Sequence, residues 1–172
     1  MSKKSLLAAS LICMSSIASA EVPELYLGAA IGQSDFDISG YDDGTSLAFT
    51  LGIKVHKNFA FEASQINLGQ FEDDIDPVWT FEYEGINLSL VVLFPINDEV
   101  EIFGKYGQFD WDGTLDQAGY GEISSGDGKD TSKGLGISAK ITDSFSVVLE
   151  YQTFDVKDDP ITNASIGARF IF

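Results

Sequence analysis

The chain has 172 residues, with 27 Asp and Glu against 10 Lys and Arg and a formal net charge of −17. That balance excludes nucleic-acid binding, which needs Lys and Arg to neutralise phosphates. One His and one Cys are too few for a His/Cys zinc cluster or a disulfide framework, while 44% hydrophobic residues with 13 Phe exclude a disordered acidic tail.

Residues 1–20 read as a secretory signal peptide. Lys3 and Lys4 supply the positive start and Leu6 to Met14 the apolar stretch. Ala18-Ser19-Ala20 matches the small-x-small site of a signal peptidase. A lipoprotein signal acylated at Cys13 is disfavoured by Ile12, because a lipobox wants a small residue there. Cleavage after Ala20 leaves one domain, 21–172, with eight bases against all 27 acids. No run of eighteen apolar residues follows, so no membrane-spanning helix is available.

From residue 24 onward the hydrophobic period is two. Leu47, Phe49, Leu51, Ile53 and Val55 alternate with small or polar residues. The same pattern recurs in Ile86, Leu88, Leu90, Val92 and Phe94, in Leu135, Ile137, Ala139 and Ile141, and in Ile166, Ala168, Phe170 and Phe172. The predicted strands are 24–33, 45–55, 59–68, 79–94, 100–110, 131–141, 145–154 and 164–172. Most have the length a tilted strand needs to cross a bilayer. Three connections are tight, at 56–58, 95–99 and 142–144. The other four, near 34–44, 69–78, 111–130 and 155–163, are longer and rich in Gly and Asp. Strict alternation of short and long connections is the habit of outer-membrane barrels.

Alternation alone does not say which face is greasy. A soluble lipocalin-like barrel binding an apolar ligand points its large apolar side chains inward, whereas a membrane barrel points them outward. Lys54, Glu62, Lys105 and Glu150 all fall on the phase opposite to the Leu/Ile/Val/Phe set, which favours the membrane barrel. The predicted fold class is therefore all-β, an eight-stranded antiparallel up-and-down transmembrane β-barrel.

Two stretches, GINLSLVVLFPINDEVEIFGKYG at 85–107 and LGISAKITDSFSVVLEYQTF at 135–154, resemble the transmembrane domain of OmpA-type outer-membrane proteins. The opening Tyr26-Leu27-Gly28-Ala29 and the Phe59-x-Phe-Glu-x5-Leu-Gly stretch are similar too, so the resemblance covers nearly the whole chain after the signal. Ser165, Gly167, Phe170 and Phe172 fit the terminal pattern polar-x-Gly-x-x-aromatic-x-aromatic, which the resemblance implies is read by the barrel-assembly machinery. It also implies a bacterial outer-membrane location. Since the chain stops at Phe172, the peptidoglycan-binding domain of larger family members is not expected.

An eight-stranded barrel is only wide enough for side chains to fill. The inward phase carries Tyr26, Lys54, Glu62, Phe103, Lys105, Glu150, Gln152 and Arg169. Buried charges must pair, so the expected lumenal pairs are Lys105–Glu150 near mid-membrane and, in a lower tier, Glu62 with Lys54 or Arg169. They either satisfy one another or line a gate for ions. The family resemblance implies an ion-pair network able to gate, but Val91, Ser138 and Val148 replace charged members of it, while Lys105 and Glu150 match a retained couple.

Seventeen acids fall in or beside the four long connections against Lys129 and Lys157. They form a solvated surface, bridge through divalent cations to each other or to lipopolysaccharide, or receive a basic partner. Asp110-Trp111-Asp112-Gly113 fails the calcium-loop pattern at Thr114 and Leu115. Trp79 and Trp111 are expected in the interface girdle. The one His, His56, lies in a tight turn on the side away from the long connections, so a lipid-modifying enzyme is not expected, nor any cofactor or metal. The expected partners are outer-membrane lipid and lipopolysaccharide, and the expected state is a monomer. The expected role is structural or surface-interacting, with a narrow low-conductance ion pore as the alternative.

Overall fold

The computed structural model describes residues 23–36, 42–72, 79–156 and 159–172. The signal segment 1–20 lies outside them, as do parts of the first, second and fourth long connections. Eight strands follow in order: β1 (Glu24–Phe36), β2 (Gly44–His56), β3 (Phe59–Glu72), β4 (Trp79–Pro95), β5 (Val100–Gln117), β6 (Gly121–Thr142), β7 (Phe145–Val156) and β8 (Asp159–Ile171). Each pairs antiparallel with its sequence neighbours, and β8 pairs with β1 to close the barrel. The closing ladder runs from Tyr26↔Ile171 to Phe36↔Ile161, so no strand edge is left open through the span.

The period-two pattern decides which face is which. Leu27, Phe49, Leu88, Leu135, Ile166 and Phe170 are all exposed on the outer wall, Phe49 at 57% and Leu88 at 58%. A belt of such residues runs around the whole barrel, far more apolar surface than a soluble monomer leaves in water. Only the hydrocarbon of a bilayer suits it. The lipocalin-like alternative is thereby corrected: the large aliphatic side chains of the predicted set face out.

The strand register agrees with the predicted segments through the span and departs from them beyond it. The tight turns sit as expected between β2 and β3, β4 and β5, and β6 and β7. The third predicted long loop, 111–130, is instead a continuation of strand. β5 and β6 stay paired from Val100↔Ala139 to Gln117↔Gly121, with one irregularity at Leu115/Asp116. Gly119 and Gly121, at φ of 84° and 77°, make the reversal that an L side chain resists. The fourth predicted loop, 155–163, is likewise mostly strand, paired up to Val156↔Asp159. Gly- and Asp-rich composition reads as loop by propensity, but cross-strand pairing overrides it here.

Candidate functional site in the barrel bore

Inward residues of the eight strands stack in layers along the axis. At the turn end, Tyr26, Ala60, Val91, Leu93, Phe103 and Val148 form a buried apolar cluster. Val91, Ser138 and Val148, at positions where the resemblance implied charge, are all buried, the two valines within this cluster.

Above this cluster lies the ionic layer. Lys105 Nζ stands 2.6 Å from Glu62 Oε2 and 2.7 Å from Glu150 Oε2. Arg169 Nη2 donates to Glu62 Oε1 at 3.1 Å, and the Tyr26 hydroxyl donates to the same oxygen at 2.6 Å. The guanidinium also lies 4.7 Å from the centre of the Tyr26 ring, a cation–π contact. The order along the chain of contacts is Arg169, Glu62, Lys105, Glu150. Each charge is partnered, as burial in a membrane interior demands.

This arrangement differs from the expected two tiers. The Lys105–Glu150 couple is present, but Lys105 also reaches Glu62, so one continuous network replaces two separate pairs. Of the two partners offered to Glu62, Arg169 contacts it and Lys54 does not. Lys54 pairs with Glu101 at 3.3 Å. The register explains this: Lys54 lies opposite Ala60, while Glu62 lies opposite Gly52, which places Lys54 a step nearer the turn end. Glu101 was missed because it sits at the strand start, where the sequence offers only another surface acid.

A layer of small polar groups follows. Ser46 Oγ and Ser34 Oγ donate to Asn163 Oδ1 at 2.6 and 3.3 Å, Ser132 Oγ donates to Asn87 Oδ1 at 2.6 Å, and Asn87 Nδ2 donates to Ser89 Oγ at 3.0 Å. The outer end is closed by a second apolar cluster that includes Leu68, Phe71, Tyr83, Phe109, Trp111 and Phe154. Phe109 and Phe154 have ring centres 4.8 Å apart, and Tyr83 meets Trp111 edge-on at 5.8 Å.

Trp111 corrects the girdle expectation. It is 2% exposed, points into the bore, and donates its indole N–H to Asp130 Oδ2 at 2.8 Å. β5 runs unbroken against β4 from Pro95↔Glu101 to Trp79↔Gln117, so residues 103, 105, 109 and 111 all keep the inward phase. A Cβ at Gly128 would stand 2.5 Å from the indole, so that glycine makes the room. Trp79 shares the phase of Phe81 and Tyr83 and is half-buried. The exposed outer-wall aromatics include Tyr106 and Tyr151 beside Phe49, Phe61, Phe94 and Phe170.

The terminal residues end the closing strand. Phe170 and Phe172 face outward with ring centres 5.1 Å apart, and the Phe172 N–H donates to the Leu25 carbonyl at 2.9 Å. Ser165 and Gly167 take the inward phase, opposite Gly32 and Ala30. His56 stays in its turn, where its Nδ1 accepts from the Asn58 N–H at 3.2 Å. Asp110 is paired with Lys129. Among the described residues, no group of three or more His, Cys, Asp or Glu converges as metal ligands.

Comparison with known proteins agrees with this geometry. Solved structures of similar fold include Neisserial surface protein A (16% identity, TM-score 0.69, covering 90% of this chain and 100% of that one). Another is Ail, the attachment invasion locus protein of Yersinia pestis, in complex with the heparin analogue sucrose octasulfate (17%, TM-score 0.59, 87% and 97%). A third is the N-terminal β-barrel domain of Pseudomonas aeruginosa OprF (11%, TM-score 0.53, 86% and 97%). No curated protein matches the sequence. Residues 5–172 match the outer membrane protein beta-barrel domain, and the chain belongs to that family of bacterial outer-membrane barrels.

Proposed function

We propose that the protein is a small structural or surface-interaction protein of the bacterial envelope, whose barrel is a closed scaffold rather than a conduit. The filled bore is the observation that carries this reading. Apolar clusters stand at both ends of the ionic and seryl layers, and at the turn end the space that reaches Tyr26, Leu93 and Arg169 is about 30 Å³, against about 300 Å³ in the mouth lined by Lys54, Glu101 and Ser138. The charges then serve to satisfy one another. The alternative of a narrow, low-conductance pore draws on the polar layers between the clusters.

Insertion of the refolded protein into a planar bilayer in concentrated KCl separates the two. A closed scaffold gives no stable conductance steps, and reproducible steps that persist across preparations would overturn it.

By the habit of such barrels the tight turns face the periplasm and the extended end faces outward. That end is acidic, so it does not suit a sulfated sugar such as the one bound to Ail. Contact with lipopolysaccharide phosphates through divalent cations belongs to the same proposal, with the phosphates supplying ligands that the described residues do not gather. Docking of the C-terminal strand, through Phe170 and Phe172, to the assembly machinery belongs to it as well. No catalytic role is assigned to any residue.

A further inference from the structure

The bore is widest at its turn end. A mouth of about 300 Å³ there is lined by Lys54, Glu101, Ser138 and Ser146, and it narrows inward to about 30 Å³ where it reaches Tyr26 and Arg169. Ser138 stands where the family resemblance implied a charged side chain, and a serine fills less of the opening than a charged side chain would.

Two features make this mouth a site rather than a gap. Ser138 and Ser146 are each 4% exposed and line both the mouth and the narrow space below it. Among the described residues neither hydroxyl has a hydrogen-bond partner, a condition that costs free energy unless a ligand supplies one. The charge around them is one-sided. Glu24, Asp98, Glu99, Glu101 and Asp143 line the mouth against Lys54 and Lys140. Each lysine already holds one acid, Glu101 at 3.3 Å and Asp143 at 3.1 Å, which leaves a surplus of carboxylate. The Asn97 side chain accepts from the Glu99 and Val100 N–H groups at 2.9 and 2.8 Å, which fixes the turn that carries two of these acids.

We propose that this mouth binds a linear aliphatic polyamine, its ammonium groups lying among the carboxylates and donating to the Ser138 and Ser146 hydroxyls. An inorganic cation suits the mouth less, because the acids surround the space instead of converging. Among the described residues no three gather as metal ligands. Separated ammonium groups match separated carboxylates, and Pro95, Val100 and Ile171 give the methylene stem apolar contact. The occupant lies across the mouth and not along the bore, because the Arg169 guanidinium beneath it repels an ammonium group.

This site is independent of the closed-scaffold reading, since a closed bore and a conducting one both keep the mouth. The protein, expressed as the full 172-residue chain and purified from membranes into zwitterionic nanodiscs, is titrated with spermidine. Calorimetry reads the affinity, and amide NMR shifts read the location. The expected result is submillimolar binding with shifts centred on 97–101 and 138–146. Butylamine, with a single charge, should bind about tenfold more weakly. Glu24→Gln combined with Glu99→Gln, both at exposed positions, should weaken spermidine binding about fivefold. Ser138→Val should weaken it as much without changing the charge. Undiminished binding to Ser138→Val would reduce the interaction to charge alone and overturn the proposal. So would shifts confined to the acidic extended end, or absence of binding at millimolar spermidine, the result expected if the chain before Glu24 fills the mouth itself.

Discussion

The two halves of the bore solve the same packing problem with different chemistry. Toward the turns, Glu62, Lys105, Glu150 and Arg169 fill the lumen as a chain of ion pairs. Toward the extended end, Phe71, Phe109, Trp111 and Phe154 fill it as an apolar plug. The charged half is conditional: each ion is tolerable only while its partner remains. The aromatic half depends on shape, with Gly128 leaving the space that Trp111 occupies. Substitutions should therefore fail differently in the two halves, through orphaned charge in one and through cavities in the other.

The largest effect is expected from Glu62→Gln. It leaves Arg169 without its carboxylate and Lys105 with one of two, at a cost of about 5 kcal/mol in equilibrium urea unfolding from lipid vesicles. Trp111→Ala should follow at about 4 kcal/mol, the scale of truncating a buried aromatic. The same truncation at Tyr106, on the outer wall, should cost far less, and equal losses would undo the assignment of Trp111 to the plug. Lys105→Met leaves Glu150 unpaired while removing one of Glu62's partners, a loss of about 3 kcal/mol. A thermal midpoint unchanged by it would count against the pair.

The charged half was legible in the sequence and the aromatic half was not, for a physical reason. A Lys or Glu on the phase opposite to Leu, Ile and Phe announces an interior position, since lipid would reject it. Phe109 and Trp111 carry no such mark, because an aromatic suits lipid, interface and core alike. Placing Trp111 depended on knowing that β5 continues past residue 110, and the Gly- and Asp-rich composition of 111–130 concealed that continuation. Pair identity was only partly legible. Lys105 and Glu150 could be matched by height, but choosing Arg169 over Lys54 for Glu62 required the β2–β3 register.

The smallest effect concerns the extension. Asp112→Asn removes one of three carboxylates in direct cross-strand register, Glu84, Asp112 and Asp127. It should raise stability by about 0.5 kcal/mol in low salt, and the gain should fade as salt screens the repulsion. A loss of stability instead would mean that the row is held together by something the carboxylates bind.

The most direct test of the ionic half is a double-mutant cycle between Glu62→Gln and Lys105→Met, measured by urea unfolding in vesicles. A network centred on the 2.6 Å Glu62–Lys105 contact predicts a coupling of about 2–3 kcal/mol. Additivity within about 0.5 kcal/mol would mean that the two residues are merely neighbours, and the account of a single charged layer holding the inner half of the bore would be wrong.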